Sequence, residues 1–175
     1  MGLKLKKRKL QQVEISLNQS EASKFTFDMV LFGFLLNENR QCPSTDSVVF
    51  YGNHTNTSDS VHLTADRCQL NLHLHKVPDN IHAIEIVLSI YDAEYHKQTF
   101  RDVTEYSLTV KNVETDRLLQ SFDPTVLQNG HTYIIGTIHK MDDSWQWMIN
   151  PRPSSSHTSI KQLCSDFSLS VEESP

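Results

Sequence analysis

The feature that most constrains this chain is a period-two alternation of apolar and polar residues, repeated in short runs along most of its length. Val13, Ile15 and Leu17 are separated by Glu14 and Ser16, and Leu70, Leu72 and Leu74 interleave with Asn71, His73 and His75. Successive side chains of a strand point to opposite faces, so each run lays one face on a core and the other in water. Residues Phe25 to Leu36 are apolar at both parities, which predicts a strand covered on both faces. Further strands are expected at Val48–Tyr51, Ala83–Tyr91, Tyr106–Lys111, Leu118–Phe122, Tyr133–Lys140 and Trp145–Ile149. The clusters between them (Asn37-Glu38-Asn39, Asn112 to Asp116, Gln128-Asn129-Gly130 and Asp142-Asp143-Ser144) have the composition of turns.

Helix signals are few. Pro78 to His82 and Gln98 to Val103 each suit about one turn. Pro151 to Ser156 reads as a linker into Ser159–Cys164, where Ile160, Leu163 and Cys164 share a helical face. Phe167, Leu169 and Val171 return to strand period. Many short strands with turn signals between them predict an all-β fold, an antiparallel two-sheet β-sandwich with one or two short helices. The 175 residues suit one domain over residues 1–171, with a disordered tail at 172–175.

Composition narrows the function. Sixteen Lys plus Arg against twenty-one Asp plus Glu leave a net charge of −5, without the basic surplus that a nucleic-acid binder needs. Cys42, Cys68 and Cys164 are odd in number and widely spaced, as expected of free thiols in a reducing compartment. No apolar stretch follows the charged start, and no run reaches the length of a membrane span. A cytoplasmic location is expected. Lys4, Lys6, Lys7, Arg8 and Lys9 form the main charge run, and Leu3 and Leu5 alternate with its first members. An edge strand guarded by lysines is the favoured reading, with peripheral contact to an anionic membrane surface as the alternative.

The ordered set Phe34-Leu35-Leu36-Asn37-Glu38-Asn39, Val49-Phe50-Tyr51, Lys76-Val77-Pro78, Ile84 to Ile90 with Tyr91-Asp92-Ala93-Glu94, Gln98-Thr99-Phe100 with Val103, His139 to Trp147 and Asp166-Phe167 resembles the TerD family of tellurium-resistance and stress-response proteins. The resemblance implies a two-sheet sandwich of bacterial or phage origin and calcium bound through two acidic segments. Asp28 matches the first segment, but Val30 stands at its second acidic position. Asp66 matches the opening of the second, in Ala65-Asp66-Arg67, and Cys68 follows where the family carries an acidic loop. Asp28 and Asp66 are therefore the remaining calcium candidates. Asp59 and Asp92 are carboxylates that the fold would have to bring to them. Calcium takes six to eight oxygens, and two carboxylates supply at most four, so any calcium binding is expected to be weak.

Other constellations are sparser. His73 and His75 share strand parity, and with His62 or His82 they would offer imidazoles to zinc, but no third ligand has convincing spacing and a wet strand face is the favoured reading. His157 lies among Ser154, Ser155, Ser156 and Ser159, a linker without an orienting third group. Cys164 falls on the apolar helix face, and Asp142-Asp143 in a turn. Nothing here composes a nucleophile and base, and five glycines make a phosphate cradle improbable. The expectation is a non-catalytic binding or scaffold protein with protein partners. A calcium-responsive sensor or adaptor of the same family is the alternative.

Overall fold

The computed structural model describes residues 2–3, 9–122, 129–149 and 160–170. Two five-stranded sheets pack face to face, and every strand pair among the described residues is antiparallel. In chain order the strands are β1 (Gln12–Gln19), β2 (Met29–Leu36), β3 (Val48–Val49), β4 (Val61–Leu63), β5 (Gln69–His73), β6 (Ala83–Ile90), β7 (Tyr106–Asn112), β8 (Arg117–Phe122), β9 (Thr132–Met141) and β10 (Ser144–Ile149). The first sheet runs β4-β5-β1-β7-β8 and the second β10-β9-β6-β2-β3. The helices are short: α1 (Glu21–Thr26), α2 (Ala93–His96) and α3 (Ile160–Asp166), with single 3-10 turns at Thr45–Ser47 and Leu74–Lys76.

Register follows from the alternation. Val13 stands opposite Leu72 and Ile15 opposite Leu70, while on the other side Ile15 meets Val110 and Leu17 meets Leu108. A slip of one residue would turn each of these apolar sets into water, so the core fixes the pairing. Between the sheets they join Leu31, Leu35, Ile84, Ile86, Leu88, Phe100 and Ile138 in the main core. Trp145 and Trp147 pack against that core from β10 as partly buried side chains, and Trp147 Nε1 donates to Gln120 Oε1 on β8 at 2.9 Å, tying the two sheets together.

The second sheet has apolar residues on its other face too. Val30, Phe32, Phe34 and Leu36 of β2 and Val87 of β6 form a second cluster with Cys42, Leu163, Cys164 and Phe167. Helix α3 is therefore the cover that the two-sided apolar pattern of β2 requires. Phe167 meets the Phe34 ring at 5.1 Å, and its carbonyl accepts from the Cys42 amide at 3.0 Å.

The expected strand over Phe25–Leu36 begins only at Met29. Ser20 caps α1 by accepting from the Ser23 amide at 3.1 Å, and local capping wins over the apolar run. Phe25 is consequently 94% exposed, while Phe27 enters the main core. The helical turn expected at Gln98–Val103 is a run of turns, with the Thr99 amide donating to Asp102, and the helix lies earlier at α2. Strand β4 escaped the pattern because it has only three residues. Leu169 follows the last turn of α3 outside any strand. The lysine-rich run at 4–8, the linker and its serines at 151–159, Val171 and the tail at 172–175 lie outside the described residues.

Candidate functional site: an acidic and aromatic pocket

The site lies at one end of the second sheet, where β2 begins, β6 ends and β9 begins. At the end of β6 the chain turns through Asp92, whose φ of 52° places a non-glycine residue in the left-handed region before α2. The Tyr91 amide donates to the Asp28 carbonyl at 2.7 Å, which fixes this turn against the start of β2. Tyr51, just past β3, meets Tyr91 edge to face with centroids 6.0 Å apart. The Arg67 guanidinium lies 5.4 Å from the centre of the Tyr51 ring, a cation–π contact.

Burial, then the neighbouring Tyr91 and the carboxylates of Asp28 and Asp92, raise the Tyr51 phenol above its ordinary range, and Arg67 opposes them. Asp28, Asp92, Tyr91 and Arg67 thus gather around one tyrosine. Asp66 does not join them. Its Oδ1 accepts from the Thr64 hydroxyl at 2.6 Å and from the Cys68 amide at 3.0 Å, and these bonds hold its carboxyl below the usual carboxylate range. Asp59 is directed elsewhere, to Thr55 at 3.0 Å and Lys76 at 3.4 Å.

Beside Tyr51 opens a cavity of about 380 Å³. Its floor carries Val30, Phe32, Ser89 and Thr132, all buried, with the Ser89 and Thr132 hydroxyl oxygens 2.8 Å apart. Its walls carry Tyr51, Tyr91, Tyr95, Asp92, Glu94 and His131, and Ile160 of α3 closes one side. His131 Nε2 lies 3.5 Å from Glu94 Oε1. Tyr91 and Tyr95 remain 46% and 83% exposed, an unusual amount of aromatic surface to leave in water.

Tyr51, Tyr95, His131, Ser89 and Thr132 were not singled out from sequence. The available signal was the run Tyr91-Asp92-Ala93-Glu94-Tyr95, in which two tyrosines flank two acids immediately beyond a strand. Strand β5 of the other sheet ends at His73, and His75 lies in the 3-10 turn that follows, so the two do not share a strand. Their rings meet perpendicularly at 6.1 Å, and no group of three His, Cys, Asp or Glu suited to a metal occurs among the described residues. Cys164 is buried near Cys42, as the apolar helix face implied.

Fold and site together define a two-sheet antiparallel sandwich with an acidic, aromatic pocket at one sheet end. The TerD domain model matches residues 1–167, and the chain belongs to the TerD family. General stress protein 16U of Bacillus subtilis (strain 168) is 27% identical over 155 residues, covering 83% of this chain and 79% of that protein. Tellurium resistance protein TerD of Serratia marcescens is 24% identical over 131 residues, covering 69% and 68%. In fold, the chain is similar to a crystal structure of a homologue of telluride resistance protein (TerD) from Streptomyces coelicolor A3(2). The TM-score is 0.66 at 14% identity, covering 84% of this chain and 92% of that one. No helix among the described residues is long and apolar enough to cross a membrane.

Proposed function

We propose that this TerD-family chain acts by binding rather than by catalysis, as a cytoplasmic stress-response scaffold, and that it works without tightly held calcium. The observation that carries this reading is the Arg67 guanidinium over Tyr51, in the same neighbourhood as Asp28 and Asp92. That guanidinium offsets Asp28, so the expected calcium carboxylate is already balanced by a cation from the chain itself. Asp66, the other expected ligand, already accepts two hydrogen bonds through Oδ1, and a metal would have to break its turn to recruit that oxygen. The residues present therefore fit a calcium shell of six to eight oxygens poorly.

The test is a thermal melt of metal-stripped protein with and without millimolar calcium. Stabilisation by a ligand near its dissociation constant is a few tenths of a kcal/mol, so the melting point should move by about a degree. A rise of several degrees that either Asp28→Ala or Asp66→Ala abolishes would overturn this reading in favour of a calcium-responsive sensor or adaptor.

A further inference from the structure

We propose that the cavity between Tyr51, Tyr91 and Glu94 is a binding site for a small organic ammonium ion of the diamine or polyamine class. The proposal rests on the reading of the chain as a binding protein and supplies the chemistry of its ligand. Charge selects a cation: Asp92 and Glu94 line the cavity, with only the His131 imidazole, 3.5 Å from Glu94 Oε1, set against them in the lining, while Asp28 and Arg67 offset one another across Tyr51. Surface chemistry selects an organic one. Exposed tyrosine faces attract ammonium groups through the ring quadrupole, and the ring of Tyr51 already holds a guanidinium in this way.

The interior completes the argument. Val30 and Phe32 give the floor an apolar surface suited to a methylene chain, and the Ser89 and Thr132 oxygens provide hydroxyl acceptors beside it. The acids sit on the turn and helix α2, so an ammonium would meet carboxylate at the wall while its stem lies on the floor. A bare metal ion suits this geometry less well, since among the described residues no three ligating side chains converge. The volume of about 380 Å³ lies in the range of small-molecule sites. The net charge of −5 also favours the approach of a cation.

Isothermal titration of the full chain with spermidine, in about 0.15 M salt to screen non-specific attraction, tests the assignment. Saturable binding at one site per chain is expected. Asp92→Asn combined with Glu94→Gln should weaken it about tenfold or more, as expected for removing charge-assisted hydrogen bonds. Tyr91→Ala should weaken it severalfold. Asp142→Asn with Asp143→Asn serves as control. That turn follows the far end of the ten-residue β9, about 30 Å from Thr132, and should leave binding unchanged.

Absence of saturable binding, or equal loss in the control, would overturn the proposal. So would binding of a lysine-containing peptide in place of spermidine, since the occupant would then be a protein side chain. A negative spermidine titration beside an unmoved calcium melt would sink this assignment alone and leave the metal-independent binding reading standing.

Discussion

Removing the Arg40 side chain should expose a weakness hidden under α3. Glu85 lies on β6 within the layer that α3 covers; it is 1% exposed, and its Oε2 has no hydrogen-bond partner among the described residues. Arg40, from the turn after β2, pairs with the other carboxylate oxygen. Arg40→Ala leaves two outcomes for the carboxylate. If it stays charged, loss of a buried partner costs about 3–5 kcal/mol. If it takes up a proton at pH 7, the cost is about 1.36 kcal/mol for each pH unit above the ordinary glutamate value near 4.3, or about 3.7 kcal/mol. The cheaper route sets the loss. Because the Arg40 side chain is 55% exposed and water reaches its end of the pair, about 2–3 kcal/mol is expected at pH 7.

The pH dependence has a definite sign. Once protonated, the folded variant holds a proton that its unfolded chain releases above about pH 4.3, so its stability falls as pH rises. At pH 5 the proton route costs only about 1 kcal/mol, and the gap to the parent should narrow accordingly. Urea unfolding of the parent, Arg40→Ala and the Arg40→Ala/Glu85→Gln double variant at pH 5 and 7 measures this. The double variant should lose the extra pH dependence. A gap below about 0.5 kcal/mol at pH 7, or one that widens on acidification, would refute the reasoning.

Gly136→Ala should destabilise by about 1–3 kcal/mol in urea, because a Cβ there would lie 2.5 Å from the Trp147 ring and 2.8 Å from the Met148 carbonyl oxygen. Phe27→Ala should cost about 3–5 kcal/mol, whereas Phe25→Ser, on the exposed side of α1, should stay within about 0.5 kcal/mol; equal losses would contradict the placement of α1. Burial, then the neighbouring Cys164, push the Cys42 thiol up to about 12 from 9.0. The unfolded thiol ionises first, so Cys42 should contribute a loss of stability as pH rises above about 9, which a Cys42→Ala variant should lack in alkaline melts. Cys42 and Cys164 should also resist thiol labelling in the folded protein at pH 8; rapid modification of either would argue against their burial.

How much of this was legible depends on the range of the signal. The inward faces of β1 and β5 were readable, because period-two alternation is local, whereas their pairing and register are set by the core that those faces build. The end of β2 near Phe25 was not. There, an apolar run and a capping serine gave opposite instructions, and Ser20 prevailed over the strand propensity of Phe25 and Phe27. Asp28 and Asp92 both act on the Tyr51 phenol, a meeting that nothing in the sequence placed, and Asp66 turns instead to the Thr64 hydroxyl and the Cys68 amide. The pocket itself joins Tyr51, Tyr91 and His131 from three separate chain segments, and no window along the sequence contains all of them.

The position of that pocket nevertheless follows from the pattern of β2. Its outward residues Val30, Phe32, Phe34 and Leu36 extend the second apolar layer along seven residues, about 20 Å of strand. The seven residues of α3 span only about 10 Å. Leu163, Cys164 and Phe167 share one cluster with Phe34, Leu36 and Cys42, and Ile160, the first residue of the helix, lines the cavity together with Val30 and Phe32. Beyond Ile160 the floor passes from purely apolar to Ser89 and Thr132, and tyrosines replace the helix as its walls. Tyrosine can turn an apolar ring edge toward Phe32 and a hydroxyl toward water, so it closes a sheet end without sealing it. A cover shorter than the face it covers leaves a half-apolar cavity at its end, and in this chain the residues at that opening carry negative charge.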